Sequence, residues 1–340
     1  MRAAVFHSPG QPLSIETVSD PTPAASEVVI RVCRCGVCGT DLHRTEKNFR
    51  TYREGTIAGH EFSGEVVALG AGVTGVKVGD LVTALPYIGC NACRFCLDGF
   101  PAFCLSMRNI GTEFQTGAYA EYVVAGAPFT LKLPEGLSVD DGALIEPLAV
   151  GLRAATRAQI RPGASVLILG AGPIGLAVAF WAKRAGAGRV AVQASSGRRA
   201  ALAAQVGADL FIQPVEGMTA PEAAHAALGG PPEVVFECVG VPGMIDQAVR
   251  TVARRGRVMI LGACFEPDHW TSVMGMSKEI DIRYSFVYDL REFQTCIDAL
   301  ERGAVEARSM ITQTVSLTDL PEAFEALRGK ANQCKVLVAP

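Results

Sequence analysis

Cys90, Cys93, Cys96 and Cys104 follow one another as C-x2-C-x2-C-x7-C. Four thiolates in one short stretch suit a closed tetrahedral zinc site, which would fix a loop that lacks a core of its own. An iron–sulfur cluster is the rival, but ferredoxin-type runs use a shorter last gap with proline after the last cysteine; here Leu105 follows. A second set is dispersed. Cys38 lies in Gly36-Val37-Cys38-Gly39-Thr40-Asp41-Leu42-His43, His60 and Glu61 in Gly59-His60-Glu61, and Glu146 in Ile145-Glu146-Pro147-Leu148. Cysteine, histidine and carboxylate can form an open zinc site, with water or substrate as the last ligand. Any one of them alone reads as a packed core residue. Their combination with a separate nucleotide fold is what points to chemistry.

That fold is signalled by Gly170-Ala171-Gly172-Pro173-Ile174-Gly175, a G-x-G-x-x-G run between an apolar strand and an apolar helix, the context a dinucleotide site requires. Gly170 allows the tight turn, Gly172 lets a pyrophosphate approach the backbone, and Gly175 lets helix and strand pack closely. Pro173 suits the first helical turn, whose free N–H groups face the phosphates. About twenty residues on, an NAD site would place an acid on the ribose. Here the strand ends in Ala194-Ser195-Ser196-Gly197-Arg198-Arg199. Small polar residues and guanidiniums suit a 2′-phosphate, so NADP(H) is favoured over NAD(H).

The elements that must carry these groups follow from patterning. The first ~145 residues read as mostly β, with strands near 28–34 and 65–69. Beyond residue 148 the chain alternates: strand 165–169, helix 173–185, strand 190–193, helix 198–206, then strands 234–237 and 258–261. Such alternation implies right-handed βαβ units and a parallel sheet. A helix near 290–302 and a strand at 335–339 close the chain. The uncharged stretch 164–182 is long enough to span a bilayer, but its glycines and proline make it a strand, a turn and a buried helix. The 340 residues carry a net charge of −3, so neither nucleic acid nor an anionic membrane is expected as partner. The start, residues 1–12, has no apolar signal-peptide region. With eleven cysteines, that makes a reducing cytoplasm the expected location. Cys33, Cys35, Cys238, Cys264, Cys296 and Cys334 are expected to be small buried hydrophobes; His7, His225 and His269 have no partner pattern.

Gly59-His60-Glu61-x2-Gly64-x5-Gly70-x2-Val73 fits the zinc-alcohol-dehydrogenase signature. Together with Gly-Val-Cys-Gly-Thr-Asp at 36–41, the four-cysteine lobe, Glu146-Pro147-Leu148 and the turn at 170–175, it appears in family order along the chain. The sequence thus resembles the zinc-containing alcohol dehydrogenases of the medium-chain dehydrogenase/reductase superfamily. It looks most like the sorbitol/threonine/butanediol dehydrogenase branch, because Glu146 stands where classical alcohol dehydrogenases carry a cysteine. The resemblance implies an α/β architecture: a mainly β GroES-like catalytic domain (1–147, zinc lobe about 88–106), a Rossmann doubly wound parallel sheet (148–287), and a C-terminal return to the catalytic domain (288–340). It implies two zinc ions per chain and a homodimer or homotetramer. Cys38 and His60 would bind the catalytic zinc, with Glu61 a direct ligand in the resting state. Glu146 would be a ligand or would hold the zinc-bound water. Thr40 would accept the substrate proton and His43 would pass it to solvent through the nicotinamide ribose. Leu261 and Phe286 would join the cofactor contacts.

One departure bears on substrate. Polyol dehydrogenases of this branch place arginine after a phenylalanine in the C-terminal pocket segment, which here reads Ser285-Phe286-Val287-Tyr288. Phe49, Phe114 and Phe286 would either add aromatic lining or belong to the core. A secondary alcohol/ketone pair of modest polarity is therefore expected, because an apolar wall cannot repay desolvating many hydroxyls. The alternatives are an NAD-dependent polyol or threonine dehydrogenase and a non-catalytic zinc- and nucleotide-binding protein.

Overall fold

Val- and Ile-rich runs, punctuated by glycine, build two different sheets. The computed structural model describes residues 1–340 apart from Phe49, Glu113, Phe114, Lys330 and Ala331. The expected lining roles of Phe49 and Phe114 lie outside the described residues. The chain divides into two compact units: Met1–Glu146 with Tyr288–Val305 and Ile311–Pro340, and Pro147–Val287 with Glu306–Met310. The C-terminal return expected over 288–340 thus needs a correction. Glu306–Met310 belongs with the second unit, where Glu306 accepts from Arg184 at 2.7 Å.

In the first unit the strand order is Ile311–Ser316, Lys335–Ala339, Glu27–Gly36, Glu61–Leu69, Leu81–Ala84 and Thr130–Lys132, with Tyr122–Gly126 also pairing Glu27–Gly36. All pairs are antiparallel except the first, which is parallel. Val28, Ile30, Phe62, Val66 and Val123 fill its core. Glu27–Gly36 shifts register twice against Glu61–Leu69; such bulges bend a strand and re-aim its end. Its last residues, Cys35 and Gly36, lie opposite Phe62 and Glu61. Pairing thereby brings residues 36–38 beside 60–61.

The second unit holds a six-stranded parallel sheet ordered Leu210–Ile212, Arg189–Gln193, Ser165–Leu169, Val234–Glu237, Arg257–Ile260, Asp281–Tyr284. In chain order this is 3-2-1-4-5-6, the Rossmann doubly wound arrangement. Ser165–Leu169 has four consecutive buried residues, as a strand covered on both faces requires. Helix Pro173–Arg184 is buried without a break from Gly175 to Ala182. Among the described residues no helix is long and apolar enough to cross a membrane. The helix expected from Arg198 starts instead with a 3-10 turn, Gly197–Arg199, before the α-helix Ala200–Gln205. The Ser196 hydroxyl accepts from Arg198 Nε at 3.0 Å rather than capping the helix.

Candidate active site

Cys38 caps the short helix Gly39–Arg44, just past the end of strand Glu27–Gly36. Glu61 opens strand Glu61–Leu69, with His60 immediately before it. One ligand atom from each of Cys38, His60 and Glu61 lies within 4.8 Å of the others. Glycine at position 36 is a condition of this arrangement, because a Cβ there would occupy the place of the Glu61 carboxylate. Thr40 and His43 sit on the helix after Cys38, three residues apart and so on one face; His43 is exposed and its Nδ1 lies 3.5 Å from Glu46 Oε2. Cys35, three residues before Cys38, points elsewhere: it is buried and its Sγ faces the Gly36 carbonyl.

Buried polar side chains hold the group in place. Asp41 is fully buried; its carboxylate accepts from the Tyr52 and Tyr119 hydroxyls at 2.8 and 2.7 Å and faces His60 Nδ1 at 3.3 Å. A histidine held at Nδ1 by a carboxylate keeps its other nitrogen free to ligate. Burial works against the charge on Asp41, yet His60, Tyr119 and Tyr52 outweigh it and hold the carboxyl below its ordinary range. Burial likewise opposes the imidazolium, but Asp41 and Cys38 push the His60 pKa well above its ordinary value. Glu61 is paired: Lys335 Nζ, also buried, donates to its two oxygens at 2.8 and 2.5 Å and to the Val37 carbonyl at 3.0 Å. Glu146 stands outside the three-ligand group. Its Oε1 accepts from Tyr288 at 2.6 Å, and burial together with the Glu61 charge pushes its pKa up to about 7.

The second group is compact. Ligand sulfurs of Cys90, Cys93, Cys96 and Cys104 lie within 4.8 Å of one another. Backbone N–H groups aim at them: Cys90 N–H meets Cys104 Sγ at 3.4 Å and Cys93 N–H meets Cys90 Sγ at 3.3 Å. Backbone donors, from Ala92 first, bring the Cys90 thiol down to about 6, whereas burial pushes Cys96 up to about 12. Donor chemistry of this kind fits zinc in both places: four sulfurs in one, and sulfur, imidazole and carboxylate in the other.

In the second unit a cavity of about 530 Å³ opens at the carboxyl ends of the strands, lined by Gly170, Gly172, Ala194, Ser195, Ser196, Arg198 and Arg199 among others. Its lining reaches from the end of Arg189–Gln193 to Cys238 and Val239, and so takes in the place between Ser165–Leu169 and Val234–Glu237 where the strand order reverses and such sheets bind ligands. Gly170 has φ +101°, and a Cβ on Gly175 would run into the Gly170 carbonyl. No carboxylate lines the cavity among the described residues. Gln193, at the strand end, spends its amide internally, donating to Ala220 O at 2.9 Å and accepting from Gln247 at 3.3 Å. Pro173, Ile174 and Gly175, which follow Gly172 into the helix, are not among the residues lining the cavity. Leu261 and Phe286 also fall outside it, each following a strand of the sheet; Phe286 is 62% exposed.

One expectation needs correction. Cys33, Cys238 and Cys264 are only partly buried: Cys38's upstream neighbour Cys33 lies where its strand alternates outward, Cys238 lines the cofactor cavity, and Cys264 sits in a loop. Half-buried His7 meets Ser14 at 3.0 Å and Glu16 at 2.6 Å across the N-terminal hairpin. His225 meets the Thr251 carbonyl at 2.7 Å. Sequence alone assigns no role to Asp41, Tyr52, Tyr119, Tyr288 or Lys335. Only Lys335 had a local signal: a lysine heading an apolar strand needs a buried partner.

Comparison with known proteins agrees along the chain. Residues 24–135 match the family described as alcohol dehydrogenase GroES-like domain, and residues 173–302 match zinc-binding dehydrogenase. Sorbitol dehydrogenase of Bacillus subtilis is 32% identical over 345 residues, covering 100% of this chain and 97% of the relative. A zinc-binding dehydrogenase from Sinorhizobium meliloti bound to NADP superposes with TM-score 0.88 at 31% identity, covering 100% and 99% of the two chains. An alcohol dehydrogenase of Escherichia coli CFT073 complexed with NADH superposes with TM-score 0.90 at 28% identity, again covering 100% and 99%. By signature, fold and full-length similarity, the chain belongs to the zinc-type alcohol dehydrogenases of the medium-chain dehydrogenase/reductase superfamily, oxidoreductases of alcohols and polyols.

Proposed function

We propose that the chain moves a hydride between NADP(H) and a secondary alcohol/ketone pair of modest polarity. The observation that carries the cofactor reading is a cavity lined by Ser195, Ser196, Arg198 and Arg199 with no carboxylate among its described residues. Guanidiniums donate in a fork to phosphate oxygens, whereas an NAD site would offer an acid to the ribose. Cys38, His60 and Glu61 would hold one zinc, and Cys90, Cys93, Cys96 and Cys104 a second. The first, when bound, supplies a Lewis acid that polarises a carbonyl or acidifies an alcohol. Thr40 takes the substrate proton and exposed His43 carries it toward solvent. Gly172 and the start of helix Pro173–Arg184 take the pyrophosphate. Val287, at the place where polyol members carry arginine, offers no donor to a chain of hydroxyls. A chain with eleven cysteines, five of them placed here as zinc ligands, supports a reducing compartment, the cytoplasm. The edge strand Asp281–Tyr284, with exposed Tyr284 and Phe286, supports a homodimer or homotetramer.

The second reading, an NAD-dependent polyol dehydrogenase, draws on the similarity to sorbitol dehydrogenase and on the neighbour complexed with NADH. Turnover with both cofactors over secondary alcohols, ketones, sorbitol, xylitol and threonine separates the two. NADP(H) should be preferred, and the double change Arg198→Ala, Arg199→Ala should lower kcat/KM for NADP(H) about a hundredfold while leaving NAD(H) nearly unchanged. A tenfold preference for NAD(H) would overturn the cofactor reading. One zinc per chain with no turnover would favour a non-catalytic zinc- and nucleotide-binding protein.

A further inference from the structure

Glu146 is the last residue of the first unit before the chain leaves it, and Tyr288 is the first after the chain returns. Their side chains, both buried, are joined by the 2.6 Å hydrogen bond from the Tyr288 hydroxyl to Glu146 Oε1. Tyr288 is enclosed by Tyr87 and Phe293, with ring centroids 6.3 and 4.8 Å away. A phenylalanine would fill the same space, so packing does not account for the hydroxyl. The backbone that delivers it is strained. Val287 has φ +49°, in the left-handed region, where a β-branched residue is an outlier. Within two residues the chain passes from Phe286, 62% exposed, to Tyr288, fully buried. Strain of this kind persists only where the surroundings enforce it, and it gathers at functional sites.

A carboxylate close to a divalent cation is drawn onto it unless another group holds it. Glu146 lies near enough to Glu61, His60 and Lys335 to sense their charges, yet it stands outside the Cys38–His60–Glu61 group. We propose that Tyr288 is a positioning residue for the metal centre: the strained Val287 delivers its hydroxyl to one oxygen of Glu146, which keeps that carboxylate out of the coordination shell and leaves a position open for substrate. This rests on the metal-site reading above and decides between the two roles open to Glu146.

The test uses the full-length protein with Co(II) in place of zinc. Visible d–d bands report the donor set, and an imidazole titration reports the open position. If the wild type takes up no cobalt at the Cys38 group, the metal-site reading fails and this inference with it. Given uptake, Tyr288→Phe should shift the bands, weaken imidazole binding about tenfold or more, and lower kcat with the cofactor dissociation constant unchanged. Wild-type bands and imidazole affinity in Tyr288→Phe would overturn the positioning role alone. Should that variant fail to fold, Glu146→Gln supplies the second test: a neutral amide is not drawn onto the cation, so the bands and the imidazole affinity should stay near those of the wild type. A changed donor set in Glu146→Gln would show that Glu146 already ligates in the wild type and would overturn the proposal.

Discussion

The four-cysteine lobe and the Cys38 group both belong to the first unit, and they are assembled by opposite means. The lobe takes all its ligands from Cys90–Cys104, around a single turn of helix at Arg94–Leu97. Its scaffold is backbone N–H groups aimed at sulfur, and it leaves Leu97 and Leu105 exposed. Beyond the sulfurs it is held by a small aromatic cluster, Phe95 and Phe100 against Phe103 with ring centroids 5.7 and 4.8 Å away. The Cys38 group takes ligands from two segments joined by strand pairing and rests on fully or nearly buried Asp41, Tyr52, Tyr119 and Lys335. A closed site can be specified by ligand spacing alone, because the metal does the folding. A site that must keep a position open needs its ligands fixed before substrate arrives, so the polar shell around them is preformed.

The largest effect that could break this contrast comes from a pair of variants. Cys38→Ser should lower zinc content from two to one per chain and cut kcat about a thousandfold or more, since a Lewis acid supplies several kcal/mol of transition-state stabilisation. Its thermal midpoint should change little. Cys104→Ser should also lose one zinc, but its main readout should be a lower midpoint and early proteolysis between residues 90 and 105. Metal analysis, calorimetry and limited proteolysis on both variants check this. If Cys38→Ser cost more stability than Cys104→Ser, the division of labour would be wrong.

Lys335→Met sharpens the comparison. Removing one partner of a buried ion pair leaves the other charge uncompensated, at a cost of about 3–5 kcal/mol. Lys335 and Glu61 are 1% and 0% exposed, so the full cost should appear in the metal-depleted protein. Zinc at the Cys38 group would supply a positive charge in place of the lysine, so the loss should shrink when the protein is zinc-loaded. Urea melts with and without a chelator measure this difference. Equal losses in the two states would mean that Glu61 does not respond to the metal.

The contrast also explains what could be read in advance. The lobe, the glycine turn and the alternating strands and helices are local, and their spacing was enough to place Cys90, Gly170 and strand Ser165–Leu169. Cys38, His60 and Glu61 stand in distinctive motifs, though their proximity depends on the pairing of Gly36 with Glu61, which no spacing encodes. The supporting shell was not legible. Tyr119 and Lys335 come from segments far along the chain, and a buried tyrosine in an apolar run looks like any core residue until its hydroxyl is seen 2.7 Å from Asp41. Glu306–Met310 groups with the second unit through contacts distant in sequence, one of them the Arg184–Glu306 pair, which no local pattern encodes.

Asp41→Asn gives the smallest and cleanest effect. Asparagine keeps the size of the side chain and an acceptor oxygen for His60 Nδ1, and the Tyr52 and Tyr119 hydroxyls can rotate to suit an amide. What disappears is the negative charge that helps hold the imidazole for the metal. Loss of such an outer partner costs metal affinity about 10–100-fold, or roughly 1.4–2.7 kcal/mol. The change should be confined to the Cys38 group, leaving the four-cysteine lobe as an internal control in the same molecule. Stepwise chelation with a zinc-sensitive dye would resolve the two ions: in the wild type the lobe and the Cys38 group should release separately, and in Asp41→Asn only the Cys38 release should move to lower chelator concentration. An equal shift at both would show that Asp41 supports the stability of the unit as a whole rather than the orientation of one ligand.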